Sequence, residues 1–183
     1  MLSDSSVQRG YEFIPAKIIN NSVDRPNNYI TLNRGAKHGI QKNTGIIGEG
    51  GLAGIVRKVS KNYAVAMSML HRDVKISAQL KRNKYFGSLV WEGYNPQLMT
   101  LKAIPKHANT EVGDTIVTSG YSSIFPANEM IGVIDTLWVA QGDNFQTIKV
   151  RLSNDLNREE YVYVVKHLMR EERIQLEEEV ENE

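Results

Sequence analysis

Five segments in the first half of this 183-residue chain recur, in the same order, in its second half. Tyr29-Ile30-Thr31-Leu32 aligns with Leu98-Met99-Thr100-Leu101 at an offset of 69, and the same offset sets Lys37-His38 over Lys106-His107. Ile46 falls on Ile116 at an offset of 70, and Leu52-Ala53-Gly54-Ile55-Val56 on Met130-Ile131-Gly132-Val133-Ile134 at 78. Ala64, Ala66 and Ser68 then meet Ile148, Val150 and Leu152 at 84. Order is kept and every gap falls at a turn, which is the signature of an internal duplication. Whatever one half folds into, the other half folds into as well.

The repeated unit is made of strands. Val74, Ile76, Ala78 and Leu80 alternate with Lys75, Ser77, Gln79 and Lys81, and Ile148, Val150 and Leu152 alternate with Lys149, Arg151 and Ser153. A period of two places one set of side chains on each face of a half-buried strand and excludes an amphipathic helix. About a dozen such runs are separated by turn signals such as Asn33-Arg34-Gly35, Gly50-Gly51 and Gly142-Asp143-Asn144. The fold class that follows is all-β: two similar small β-barrels, closed because closure removes the exposed edges of many short strands. The expected division is a lead-in over 1–15, barrel one over 16–82, barrel two over 83–165 and an acidic tail over 166–183, helical or disordered. A strand crossing over to complete the other barrel would move these bounds. Alternation assigns Leu32, Ile55, Ile76 and Leu80 to the interior of barrel one, and Leu101, Val133, Ile148 and Val150 to that of barrel two.

Composition closes off several chemistries. With no cysteine there is no disulfide scaffold, no thiol nucleophile and no Cys-ligated metal. No apolar run approaches the ~18 residues of a membrane helix, and the first fifteen residues have no signal-peptide core. The net charge of +1 is unevenly spread: residues 34–84 carry eleven basic and two acidic residues, while residues 85–165 carry five and nine. The tail from Lys166 adds three basic and seven acidic residues. A basic half followed by an acidic half would steer molecules head to tail. Lys81, Arg82 and Lys84 are the candidate basic patch for such self-association, by dimer or filament.

No catalytic, cofactor or metal site emerges from the residues. Between two barrels, His38, Asp73 and Ser119 or Ser153 stand in the chain order of a chymotrypsin-like triad, but the Gly-Asp-Ser-Gly nucleophile turn is missing. The four histidines show no metal-ligand spacing, and Gly48-Glu49-Gly50-Gly51 leads into a strand rather than a phosphate-binding helix. The basic half lacks the interleaved aromatics of a nucleic-acid platform, which leaves a polyanion-binding module as a minor alternative beside the double-barrel hydrolase. A partner-binding surface is the main reading. Residues 118–129 are an insertion that the first repeat lacks, and they present Tyr121, Ile124 and Phe125 as candidate anchors. Phe125 is expected to plug the second barrel and Tyr121 to be exposed.

At these residues the sequence resembles the MreC family of bacterial rod-shape-determining proteins. The matching stretches are Asn33-Arg34-Gly35-Ala36-Lys37-His38-Gly39-Ile40 and Gly51-Leu52-Ala53-Gly54-Ile55-Val56. They continue in Val112-Gly113-Asp114-Thr115-Ile116-Val117-Thr118-Ser119-Gly120, Ile124-Phe125-Pro126, Ile131-Gly132-Val133-Ile134 and Leu156-Asn157-Arg158-Glu159-Glu160-Tyr161-Val162. Gly35, Gly39, Gly54, Gly113, Asp114, Ser119, Gly120, Pro126 and Gly132 carry the motif. The resemblance implies a periplasmic pair of β-barrels, held in the intact protein to the inner membrane by one N-terminal helix and a coiled coil that this chain lacks. It implies a non-enzymatic scaffold without catalytic residues or cofactors. Such a scaffold self-associates and binds a class B penicillin-binding protein and other membrane proteins of the cell-wall elongation complex. Two positions depart from the pattern: Ser123 and Asn128 stand where many relatives carry glycine.

Overall fold

A computed structural model describes residues 10–182; the expected lead-in therefore falls mostly outside the described residues. Twelve strands run in chain order: β1 (Tyr11–Asn21), β2 (Asn27–Leu32), β3 (Gly45–Gly48), β4 (Gly51–Val59), β5 (Ala64–His71) and β6 (Lys75–Leu80). The second half supplies β7 (Phe86–Val90), β8 (Leu98–Pro105), β9 (Thr115–Thr118), β10 (Met130–Trp138), β11 (Phe145–Leu152) and β12 (Tyr161–His167). A short 3-10 turn (Ala36–His38) follows β2, and one α-helix, α1 (Arg170–Glu181), follows β12. The strands form two closed six-stranded barrels, ordered β1-β12-β3-β4-β5-β2 and β10-β11-β8-β7-β6-β9.

These orders superimpose under the duplication with one twist. β1 to β5 correspond to β7 to β11, and β6 corresponds to β12, but the two sixth strands have changed places. β6 follows the first repeat in sequence and closes the second barrel between β7 and β9. β12 follows the second repeat and closes the first barrel between β1 and β3. The expected division at 82/83 is corrected accordingly: the first barrel is built from 11–71 and 161–167, the second from 75–152. The sequence signal pointed elsewhere because β6 is contiguous with repeat one, with only Arg72, Asp73 and Val74 between it and β5. Ile76 and Leu80 thus line barrel two rather than barrel one, and both are buried.

Alternation elsewhere holds where one face meets water. In β11 Ile148 and Val150 are fully buried while Arg151 is exposed. β4 shows no alternation: Gly51 to Val56 are all buried. One face of β4 lines barrel one and the other lies against barrel two, the situation in which a strand reads as a continuous apolar run. Val133 was expected inside barrel two and is only half-buried, between buried Gly132 and Ile134. The ladder of β10 shifts register on both sides of it, at Met130/Gly132 against β9 and at Ile134/Thr136 against β11. Such bulges re-aim side chains, so strict period two fails there.

The charge pattern maps onto the barrels differently from its order in the chain. Barrel one carries nine basic and three acidic residues, and barrel two eight and six. Both barrels are therefore net positive, and α1, with two basic and six acidic residues, holds the largest share of the compensating charge. A basic barrel beside an acidic one is not what the tertiary structure builds.

Candidate interaction surfaces

The loop between β9 and β10 is held at its base by Thr118. Its hydroxyl donates to the Pro126 carbonyl (2.6 Å) and accepts from the Glu129 N–H (2.9 Å), while its own N–H donates to the Glu129 carbonyl (2.9 Å). Asn128 takes the left-handed conformation, φ 65°, which asparagine tolerates better than most residues, so loss of glycine there leaves the turn intact. At the tip, Phe125 turns inward and is 2% exposed. Its ring packs on the backbone of Gly45, where any Cβ would run into it. Gly45 belongs to β3, so Phe125 is a wedge on barrel one and not the plug of barrel two. The loop's length, absent from the first repeat, is what lets it span the seam.

A second set of contacts locks the same seam. Ser153 Oγ donates to the Gly50 carbonyl (2.6 Å), and the buried Asn154 amide donates to the carbonyls of Gly51 (3.2 Å) and Leu52 (3.3 Å). These two residues open the segment that carries the chain from β11 back to β12. The crossing strand and the seam are therefore stabilised by the same hydrogen bonds.

Tyr121 lies on the opposite side of the loop and is 64% exposed. Its ring leans on Phe86 of β7, itself about half exposed, with centroids 4.7 Å apart. Together with Asn83, Lys84, Tyr85, Ala103 and Pro105 they line a shallow cleft of about 340 Å³. Ile124 is partly buried against the core. The three loop residues thus separate: Tyr121 faces solvent, Ile124 is intermediate, and Phe125 is structural. Phe86 was not singled out in the sequence, because a Tyr85-Phe86 pair at a strand start gives no sign of which ring faces out.

A second aromatic face was not foreseen. On the outer side of β1 and β12, Phe13, Tyr161 and Tyr163 are all exposed, with the Phe13 and Tyr163 rings edge to face at 6.4 Å. Pro15 pairs with Tyr163 and Lys17 with Tyr161 across the ladder. Only the crossing of β12 brings residues some 150 positions apart onto one surface, so no local signal announces it.

The basic patch is also rearranged. Lys81, Arg82 and Lys84 occupy the β6–β7 turn of barrel two and face outward. Arg82 is committed: its guanidinium donates to both carboxylate oxygens of Asp114 (3.1 and 2.8 Å) and to the Asn109 carbonyl (2.8 Å). Hydrogen bonds from Arg82 hold the Asp114 carboxyl below its ordinary range, and the Glu111 N–H (2.9 Å) adds to them. Asp114 thereby clamps two turns of barrel two, a structural duty for the motif aspartate.

The residues of the nominal triad are kept apart by other bonds. His38 Nδ1 accepts from the Gly35 N–H (3.1 Å) and Ser119 Oγ bonds Ser77 Oγ (2.7 Å). Ser153 is spent at the seam, and Asp73, at the β5–β6 turn, gives its N–H to His71 Nδ1 (3.0 Å). None of the hydrogen bonds of the described residues joins His38 to Asp73, Ser119 or Ser153.

Two closed barrels that trade their last strand, with aromatic side chains displayed on two outer faces, define a tandem β-barrel protein of duplicated origin. The comparison with known proteins narrows this class. Residues 18–166 match the family described as rod shape-determining protein MreC, barrel core, and the chain belongs to that family of cell-shape-determining proteins. It is similar to the cell shape-determining protein MreC of Listeria monocytogenes, 25% identical over 161 residues, which cover 86% of this chain and 55% of that protein. The chain spans about half the length of the curated relatives it matches. The fold resembles a solved MreC of Listeria monocytogenes (TM-score 0.80, 23% identity, covering 87% of this chain and 77% of that one). It also resembles a chain from a complex between penicillin-binding protein PBP2 and MreC of Helicobacter pylori (TM-score 0.66, 17% identity, 84% and 98% covered).

Proposed function

We propose that this chain is the barrel part of a non-enzymatic scaffold that organises cell-wall elongation on the periplasmic side of the inner membrane. In the intact protein an N-terminal helix, outside this sequence, anchors it. The scaffold self-associates and binds a class B penicillin-binding protein. The observation that carries this reading is the Tyr121–Phe86 pair: two large exposed rings packed at a tilt, one on β7 and the other on a loop whose own structural demands Thr118 and Phe125 already meet. Exposed aromatic side chains on a rigid support are the side chains from which interface hot spots are made. The solved Helicobacter pylori complex, whose MreC shares this fold, supports the choice of partner class.

The test is titration of the chain with the soluble extracytoplasmic part of a class B penicillin-binding protein by calorimetry. Tyr121→Ala should weaken binding by more than about 1 kcal/mol, at least fivefold, with an unchanged melting temperature. Undiminished affinity in Tyr121→Ala and in Phe86→Ala would remove the cleft from the interface and leave the Phe13–Tyr163 face to be tested likewise. Covalent labelling by a serine-hydrolase probe, lost on a single Ser→Ala change, would overturn the non-enzymatic reading.

A further inference from the structure

The mouth of barrel one where β12 ends is electrically lopsided. β2 ends there at Leu32, β4 at Val59, and β5 begins there at Ala64. The loops at this mouth bring Arg34, Lys37 and Lys61 together, with Arg57 and Lys58 at the end of β4 and exposed Tyr63 among them. Backbone bonds interlock the loops: Ala36 N–H to the Ser60 carbonyl (2.8 Å), and Lys37 N–H to the Lys61 carbonyl (3.2 Å). Gly35 permits this, because a Cβ there would strike the backbone of residues 60–63. None of the five cations forms an ion pair among the described residues. After burial, the charges of Arg34 and Lys37 are what hold the His38 imidazole below its ordinary value.

Helix α1 leaves from the same mouth, directly after β12. It buries none of its residues. Leu176 and Val180 are each more than half exposed, as is Met169 at the N-cap, and the spacing of four sets Leu176 and Val180 on one face. Glu171, Glu172, Glu178, Glu179 and Glu181 bear the helix's negative charge without an ion pair among the described residues, and Arg173 is paired with Glu177 (2.8 Å). The helix is thus an apolar stripe edged with carboxylates, and the mouth is an exposed ring edged with cations. In its own chain β12 stands across the barrel from β5, and no α1 carboxylate reaches the cluster.

We propose that α1 of one copy docks across the cationic mouth of barrel one of a second copy, with Leu176 and Val180 against Tyr63. The carboxylates lie among Arg34, Lys37 and Lys61. Donor and acceptor share one end of the molecule, so the exchange is reciprocal and closes as a two-fold dimer rather than propagating as a head-to-tail filament. The proposal rests on the self-association read above and names its surface.

Charge swapping tests it by sedimentation equilibrium of the whole chain. The helix variant is Glu178→Lys, Glu179→Lys and Glu181→Lys, changes that suit a helix C-terminus; the mouth variant is Arg34→Glu, Lys37→Glu and Lys61→Glu. Each alone should weaken the dimer at least tenfold in ~20 mM NaCl, where the Debye length is about 20 Å, and less in ~500 mM. An equimolar mixture of the two should dimerise again, because each then complements the other. A wild-type dimer indifferent to both variants, or a mixture that stays monomeric, overturns the α1 docking while leaving self-association standing. A wild-type chain that remains monomeric at millimolar concentration in both salts overturns both. Wild-type monomers that instead sediment with phosphatidylglycerol vesicles would assign the mouth to a lipid surface and overturn the dimer.

Discussion

His71 shows how one side chain at the crossover from barrel one to barrel two couples stability to pH. It is 2% exposed, and because Nδ1 accepts the Asp73 N–H (3.0 Å), Nε2 carries the proton and donates to Tyr29 Oη (3.1 Å). Burial holds its pKa below the ordinary imidazole value, with Arg57 adding to the effect and Asp73 opposing it. A lowered folded pKa means that the fold favours the neutral ring. Its contribution is fully present above the ordinary imidazole value and is lost as pH falls through the lowered one. Burial and two arginines push His167 the same way, and Asp114 likewise loses its contribution at still lower pH. Glu129 runs opposite, since burial raises its carboxyl, so Glu129→Gln should sharpen the acid loss. Tyr29→Phe strips the buried Nε2–H of its acceptor and should cost about 1 kcal/mol in urea unfolding at pH 7.5. A neutral result there would place the Nε2 proton on a different acceptor.

At the scale of elements, the β9–β10 loop and β3 act as wedge and slot. Phe125 supplies the ring and Gly45 the flat backbone that receives it. Phe125→Ala empties a buried aromatic site and should lower stability by about 3–5 kcal/mol, while leaving the Tyr121 cleft free to bind. Loss of partner affinity without loss of melting temperature would show Phe125 to be an anchor instead. This division of labour was half legible in the sequence. The loop stood out as an insertion carrying aromatics beside Gly120 and Pro126, and one inward and one outward ring were expected. Which barrel received the inward ring was not legible, because Gly45 lies 80 positions away and a glycine in an apolar strand has no mark of its own.

For the whole molecule, the exchange of β6 and β12 makes each half-chain an incomplete barrel. A polypeptide ending at residue 82 holds β1 to β6 but lacks β12, so β1 and β3 are left with open edges. Open edges expose unpaired backbone groups and the apolar face beneath them. Each half expressed alone should therefore lack dispersed amide resonances, while the two halves mixed should recover the spectrum of the intact chain. A well-dispersed spectrum from residues 1–82 would show that β6 can close the barrel of its own repeat. The same exchange ties the barrels into one cooperative unit, since neither is completed without strands from both halves.

What is local or repeated can be read from the chain without its fold. Period two specifies strands, because successive side chains point to opposite faces; the offsets specify two equivalent units; the turn residues specify where strands end. The MreC resemblance was carried by the same turns and strand cores. Features that depend on contacts far apart in the chain emerge with the packed molecule, and its tertiary structure sets them. It chose which barrel each sixth strand completes, it set Phe13 beside Tyr163 and Phe125 against Gly45, and it moved the acidic complement of the basic barrel from its neighbour to α1. The physical reason is that alternation records only whether a face is buried. The alternation of β6 assigns Ile76, Ala78 and Leu80 to a buried face without naming the barrel that buries them, so the pattern that makes it a strand carries no information about which neighbours it joins.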